Sequence, residues 1–150
     1  MVKRIIMLVT VALVMAAAMA LSGVAQARPI AGSADAQCAK LAIRTLGPSF
    51  NPSNYAFVGG SEGDDDFSLE PTDSPQVFCG FGGDDHTSSV DDGDIFLGGA
   101  GNDWVFIIFN GGTFYGQEGD DWVFENRSGG TFYGGPGDDV VVVNQGTFVQ

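Results

Sequence analysis

The feature that most limits what this chain can become is a phrase that returns at a fixed interval. Gly98-Gly99-Ala100-Gly101-Asn102-Asp103-Trp104-Val105-Phe106 reappears 18 residues on as Gly116-Gln117-Glu118-Gly119-Asp120-Asp121-Trp122-Val123-Phe124, and after 18 more as Gly134-Gly135-Pro136-Gly137-Asp138-Asp139-Val140-Val141-Val142. A repeat of this length is one supersecondary unit that buries its apolar face only against its neighbours. The same template finds Gly60-Ser61-Glu62-Gly63-Asp64-Asp65-Asp66-Phe67-Ser68 and Gly80-Phe81-Gly82-Gly83-Asp84-Asp85-His86-Thr87-Ser88 upstream. The aligned aspartates Asp65, Asp85, Asp103, Asp121 and Asp139 are spaced by 20, 18, 18 and 18 residues. The longer first step contains Glu70-Pro71-Thr72-Asp73-Ser74-Pro75, where a bulged loop is expected.

Each unit has a second half. Ile107–Tyr115 and Glu125–Tyr133 both place a Gly-Gly turn before Thr-Phe-Tyr; Val77-Phe78-Cys79, Ile95-Phe96-Leu97 and Thr147-Phe148-Val149 occupy the same strand slot. One coil is therefore turn, strand, turn, strand. The expected fold is all-β, a parallel β-roll or β-helix solenoid of about five 18-residue coils over residues 60–150. Alternation sends Phe67, Thr87, Val105, Val123 and Val141 inward to meet Phe78, Phe96, Phe114, Phe132 and Phe148. It sends outward Asp66/Ser68 and His86/Ser88 in early coils, then Trp104/Phe106, Trp122/Phe124 and Val140/Val142.

Ahead of the repeats, residues 1–27 read as a secretory signal peptide: Lys3 and Arg4, an apolar run Ile5–Leu21, then Ala25-Gln26-Ala27. A membrane anchor is the alternative. Residues 28–59 are expected to form an N-terminal cap. Ala34, Cys38, Leu41, Ala42 and Leu46 share one helical face, with Ser33 as N-cap and Gly47-Pro48 as stop, so the spacing predicts a helix over 34–46 followed by a loop. Its expected place is over the open end of the coil stack. Cys38 and Cys79 are the only cysteines. In an exported chain they are expected to pair and tie the cap to the first coil, free thiols and an intermolecular bridge being the alternatives.

Without the leader, four Lys and Arg stand against 19 Asp and Glu, a net charge of −15. Such a chain repels nucleic acid and anionic lipid. The acids cluster in Gly-Asp-Asp turns; a disordered acidic segment would not bring large apolar residues back at a regular interval. Oxygen ligands with few cysteines suit a hard divalent cation.

The nine-residue phrase Gly-Gly-x-Gly-x-Asp-x-(apolar)-x resembles the RTX, or haemolysin-type, calcium-binding repeat. Gly98–Phe106 and Gly134–Val142 match it fully, and the resemblance covers about residues 60–149. It implies Ca2+ between successive turns, held by the sixth-position carboxylates of Asp65, Asp85, Asp103, Asp121 and Asp139. The turn carbonyls of Gly98, Ala100, Gly116, Glu118, Gly134 and Pro136 would complete the sites. Asp64, Asp84, Asp120 and Asp138 then contribute charge and solubility. The second halves depart from the pattern: apart from Asp94 they lack the aspartate, so one row of ions is expected, with the first gap doubtful. Turns of Gly-Asp chemistry without metal are the bland alternative.

The functional expectation is an exported, secreted or periplasmic, calcium-binding module that folds with the ion and is not an enzyme. Residues 28–59 are too few for a catalytic domain, and no His-Glu-x-x-His occurs. The outward face of Trp104, Phe106, Trp122 and Phe124 is a candidate surface for self-association, a cell-surface partner or a carbohydrate, although stacked rings that merely cover one another give the same pattern. Ice binding is a third reading, with Thr113, Thr131 and Thr147 as its only candidate row. RTX proteins usually lack a cleavable leader, a further departure.

Overall fold

The structure, a computed structural model, describes residues 33–67 and 74–150. The expected leader 1–27, Ser68 and residues 70–73 of the expected bulged loop lie outside them.

Eleven strands form two parallel sheets. Sheet A takes the order β1 (Ala56–Gly59), β3 (Gln76–Gly82), β5 (Ile95–Ala100), β7 (Thr113–Glu118), β9 (Thr131–Tyr133), β11 (Thr147–Val149). Sheet B runs β2 (Asp66–Phe67), β4 (His86–Val90), β6 (Trp104–Ile108), β8 (Trp122–Asn126), β10 (Val140–Asn144). The chain alternates between the sheets, so each coil adds one strand to both, and the result is the β-solenoid of about five 18-residue coils that the repeat predicts. The first sheet begins earlier than expected: β1 pairs with β3, which puts Ala56–Gly59 in the roll instead of the cap.

Register follows from the repeat, because a parallel neighbour one period away presents the same residue. Phe78, Phe96, Phe114, Phe132 and Phe148 align across sheet A, and Phe67, Thr87, Val105, Val123 and Val141 across sheet B. The rings of Phe96, Phe114, Phe132 and Phe148 stack at 5.0, 4.9 and 5.0 Å, within 11° of parallel. Phe96, Phe114 and Phe132 are fully buried, each worth about 2–3 kcal/mol of burial against the unfolded chain. Sheet B adds a column that alternation misses. Its buried positions come three apart, so Val90, Ile108 and Asn126 also point inward beside Thr87, Val105 and Val123.

The helix forms where expected, α1 over Ala34–Leu46, with Ser33 Oγ accepting the Ala36 N–H (3.2 Å) and Gly47 closing it at φ 81°. It covers the edge strand, as expected, and more. Cys38 and Ala42 pack on Val77, Cys79 and Leu97, the residues of β3 and β5 that face away from the Phe stack, and Asp35 reaches the edge strand to accept the Gly59 N–H at 3.0 Å. The helix thus packs most extensively on the edge strand β1 and extends over the outer face of β3. The physical reason is that Val77, Cys79, Leu97 and Phe81 form an apolar outer patch that needs a cover. The Cys38–Cys79 disulfide fastens helix to β3 at that contact.

Candidate metal-binding edge

Sheet A passes into sheet B through the Gly-Gly-x-Gly-x-Asp turns. In four of them the second and fourth positions are left-handed: Phe81 (77°), Gly99 (122°), Gln117 (82°) and Gly135 (114°), then Gly83 (99°), Gly101 (132°), Gly119 (134°) and Gly137 (154°). The fourth position needs glycine twice over, since a Cβ on Gly101 or Gly119 would also collide with the carbonyl one coil back. This backbone folds the sixth-position aspartates back into the edge, where Asp85, Asp103 and Asp121 are at most 1% exposed.

Each buried carboxylate uses one oxygen and strands the other. Oδ1 of Asp85, Asp103, Asp121 and Asp139 accepts the backbone N–H of the aspartate one coil earlier, at 2.8, 2.9, 2.8 and 3.0 Å. Oδ2 of the same four is buried without a hydrogen-bond partner. It fits only because the first glycine of the turn has no side chain: a Cβ on Gly80, Gly98, Gly116 or Gly134 would collide with it. For Gly98 and Gly116 the same niche holds a carbonyl of the next coil, Gly116 O at 2.8 Å and Gly134 O at 2.7 Å from the Cβ position.

A buried carboxylate facing acceptors is an unfavourable anion. Burial first of all pushes Asp103 up to about 8; the Asp85 N–H opposes the shift, and the charges of Asp121, Asp85 and Asp84 add to it. Asp121 is raised to about 7 and Asp85 to about 6, also chiefly by burial. Either a proton or a cation relieves such a row. Among the described residues no three His, Cys, Asp or Glu side chains converge, so a cation there would draw on main-chain carbonyls as well. Of the expected ones, those of Ala100, Glu118 and Pro136 already accept the N–H of Gly83, Gly101 and Gly119 (2.9, 2.9 and 3.1 Å), and each keeps a second lone pair. The orphaned oxygens, glycine niches and carbonyls fit a hard cation.

The first turn is built otherwise. Asp65 is only half-buried, its Oδ2 accepts from Ser61 N–H (2.6 Å) and Oγ (3.0 Å), and no residue of 60–65 takes a positive φ. The fifth-position side chains have a role that the sequence did not suggest. Oδ1 of Asp64, Asp84, Asn102 and Asp120 accepts the N–H of the residue one coil later, at 2.8–2.9 Å, so an exposed ladder runs opposite in direction to the buried one.

On the outer face of sheet B, Trp104, Phe106, Trp122 and Phe124 are 40–47% exposed, as alternation predicts. Phe106 stacks on Phe124 at 4.9 Å, and Trp104 on His86, which also bonds Asp66 at 3.2 Å. Comparison of the chain with protein-family models, curated proteins and solved structures finds no match.

Proposed function

We propose that this chain is an exported calcium-binding β-roll of the RTX type, a structural and binding module that folds with the ion and carries no catalytic site. The observation that supports it best is the row of buried, unpartnered Asp85, Asp103, Asp121 and Asp139 Oδ2 atoms, repeated coil after coil in glycine niches. Isolated tight turns need no such row. Ca2+ would supply the positive charge that lets these carboxylates stay ionised while buried. Asp85, Asp103, Asp121 and Asp139 would be its side-chain ligands, with Gly98, Gly116 and Gly134 as the nearest carbonyl donors. Asp65, already satisfied by Ser61, would contribute least. The apolar leader and the Cys38–Cys79 bridge support export to an oxidising compartment, and the exposed aromatic face of sheet B supports a binding role.

Far-UV circular dichroism of the mature chain, residues 28–150, tests the reading. A largely unfolded spectrum in chelator and a β-rich one in millimolar calcium are expected. An identical folded spectrum in both would overturn calcium-dependent folding.

A further inference from the structure

Among the described residues, registered aromatic residues in this roll stack on one another with two exceptions: Phe78/Phe96, whose rings each meet Phe67 at an angle instead, and Trp104/Trp122. Phe96/Phe114, Phe114/Phe132, Phe106/Phe124 and Tyr115/Tyr133 lie one coil apart with centroids 4.7–5.0 Å apart and planes within 12°. Trp104 and Trp122 are aligned in the same way, yet among the described residues they make no ring contact with each other. Trp104 leans on His86 at 4.9 Å and meets Phe106 edge-on at 6.3 Å, while Trp122 has no aromatic partner. Beside the indoles lies an open surface pocket of about 370 Å3 lined by Trp104, Trp122, Asn102, Asp103 and Asp120.

We infer that this slot binds a guanidinium group, the arginine side chain of a basic peptide. Two exposed indoles offer π faces to a flat cation, and indole is the best aromatic partner for one. Guanidinium is planar and weakly hydrated, so it stacks on a ring face more readily than an ammonium does. The Asp120 carboxylate forms the rim. Its Oδ1 accepts the Asp138 N–H at 2.8 Å, which leaves its exposed second oxygen for a ligand. Asp84 and Asp138 extend the negative charge along the same edge. No cation competes: among the described residues the Lys and Arg are Lys40 and Arg44, on the helix that covers sheet A, and Arg127, which is paired with Glu125 at 3.0 Å and lies 4.7 Å over Phe109. A neutral sugar would use the indole faces but gain nothing from the acidic rim. A second copy of a chain with net charge −13 would be repelled from it. The inference rests on the binding-module reading and names the chemistry of its partner.

Emission from Trp104 and Trp122, the chain's only tryptophans, reports on the slot directly. Hexa-arginine is titrated into the disulfide-bonded chain, with calcium and with chelator. A saturable change that weakens at high salt is expected, with affinity falling about tenfold in Trp122→Ala and several-fold in Asp120→Asn. Asp120→Asn keeps the acceptor for the Asp138 N–H, as Asn102 does for Asp120. Ile43→Ala, exposed on the helix that covers sheet A, leaves the affinity unchanged. Equal binding by Trp122→Ala would reduce the effect to bulk charge and overturn the inference, and so would salt-insensitive binding of a cello-oligosaccharide in place of the peptide. A calcium response without hexa-arginine binding overturns this inference alone. Hexa-arginine binding without a calcium response overturns the calcium reading alone.

Discussion

Each coil turns twice, once at the aspartate edge and once at the opposite edge, and the two turns are stabilised by different means. At the opposite edge the four-residue turns close on themselves: the Asp94, Gly112 and Gly130 N–H groups donate to the carbonyls of Asp91, Phe109 and Arg127 (2.9, 3.0 and 2.9 Å). Gly93, Gly111 and Gly129 supply the left-handed third position at 85–89°. Behind the last of them the polar core residue is neutral, Asn126 Nδ2 donating to Asn144 Oδ1 at 3.1 Å and Thr147 O at 2.9 Å. Only at the first does a carboxylate reach across coils, Asp94 Oδ1 accepting the Gln76 N–H at 2.7 Å, with its pKa raised chiefly by burial. At the aspartate edge the turns are tied to their neighbours by carboxylates, one ladder buried and one exposed. Among the described residues the opposite edge leaves one buried side-chain oxygen, Asn126 Oδ1, without a partner, whereas the aspartate edge strands a carboxylate oxygen in four successive coils. That asymmetry is what a ligand-dependent fold requires.

Glycine substitutions should separate the edges most strongly. Gly116→Ala places a Cβ on Asp121 Oδ2 and against the Gly134 carbonyl, so a loss of about 3 kcal/mol or more is expected in denaturant unfolding. Gly111→Ala meets nothing nearer than 3.4 Å and pays only for its φ of 89°, about 1–2 kcal/mol. Equal losses would mean that the contact with Asp121 Oδ2 adds nothing to the cost of substituting Gly116.

Exchanging acid and amide should act in opposite directions on the two sides. Asn126→Asp removes both donors and buries an anion among acceptors, a loss of about 3 kcal/mol at neutral pH. Asp121→Asn keeps an acceptor for the Asp103 N–H and turns a donor toward the niche of the Gly134 carbonyl, so the metal-free roll gains about 1 kcal/mol. A loss of stability in Asp121→Asn with chelator present would contradict the assignment of a strained carboxylate.

A smaller effect is expected from pH alone. Asp85, Asp103 and Asp121 are raised in the folded chain to about 6, 8 and 7, above the ordinary 3.8. The folded state therefore keeps protons that the unfolded state has released. In chelator their contribution is fully present below about pH 4 and is lost as pH rises through 6 to 8. Thermal midpoints of the metal-free chain, held folded by a stabilising osmolyte, should fall across that range, and the slope should flatten in Asp103→Asn. A rising midpoint would oppose the account.

The solenoid was legible because one residue type recurs at one spacing: an 18-residue period aligns Phe on Phe and Asp on Asp with no freedom of register. The helix was legible from Ser33, Gly47 and its apolar face. Its seat on the edge strand β1 was legible too, but the outer patch of Val77, Cys79 and Leu97 that it also covers is visible only once β3 and β5 lie side by side. Strict alternation concealed the Val90, Ile108 and Asn126 column, where sheet B buries every third residue as it enters its turn. The candidate site was half legible. The aspartate row followed from the motif, but the Ser61 contact that satisfies Asp65 and the opposed hydrogen-bond directions at the fifth and sixth positions depend on turn geometry. The Trp104/Trp122 slot depends on rotamers that identical neighbours could equally have stacked.

The central claim is that the buried aspartate row is a calcium site, and a calcium-binding isotherm tests it most directly. Wild-type chain and the Asp103→Asn, Asp121→Asn double variant are titrated by calorimetry at neutral pH. Saturable binding by the wild type, weakened at least about tenfold in the double variant, is the predicted result. No binding by the wild type, or equal binding by both proteins, would contradict it.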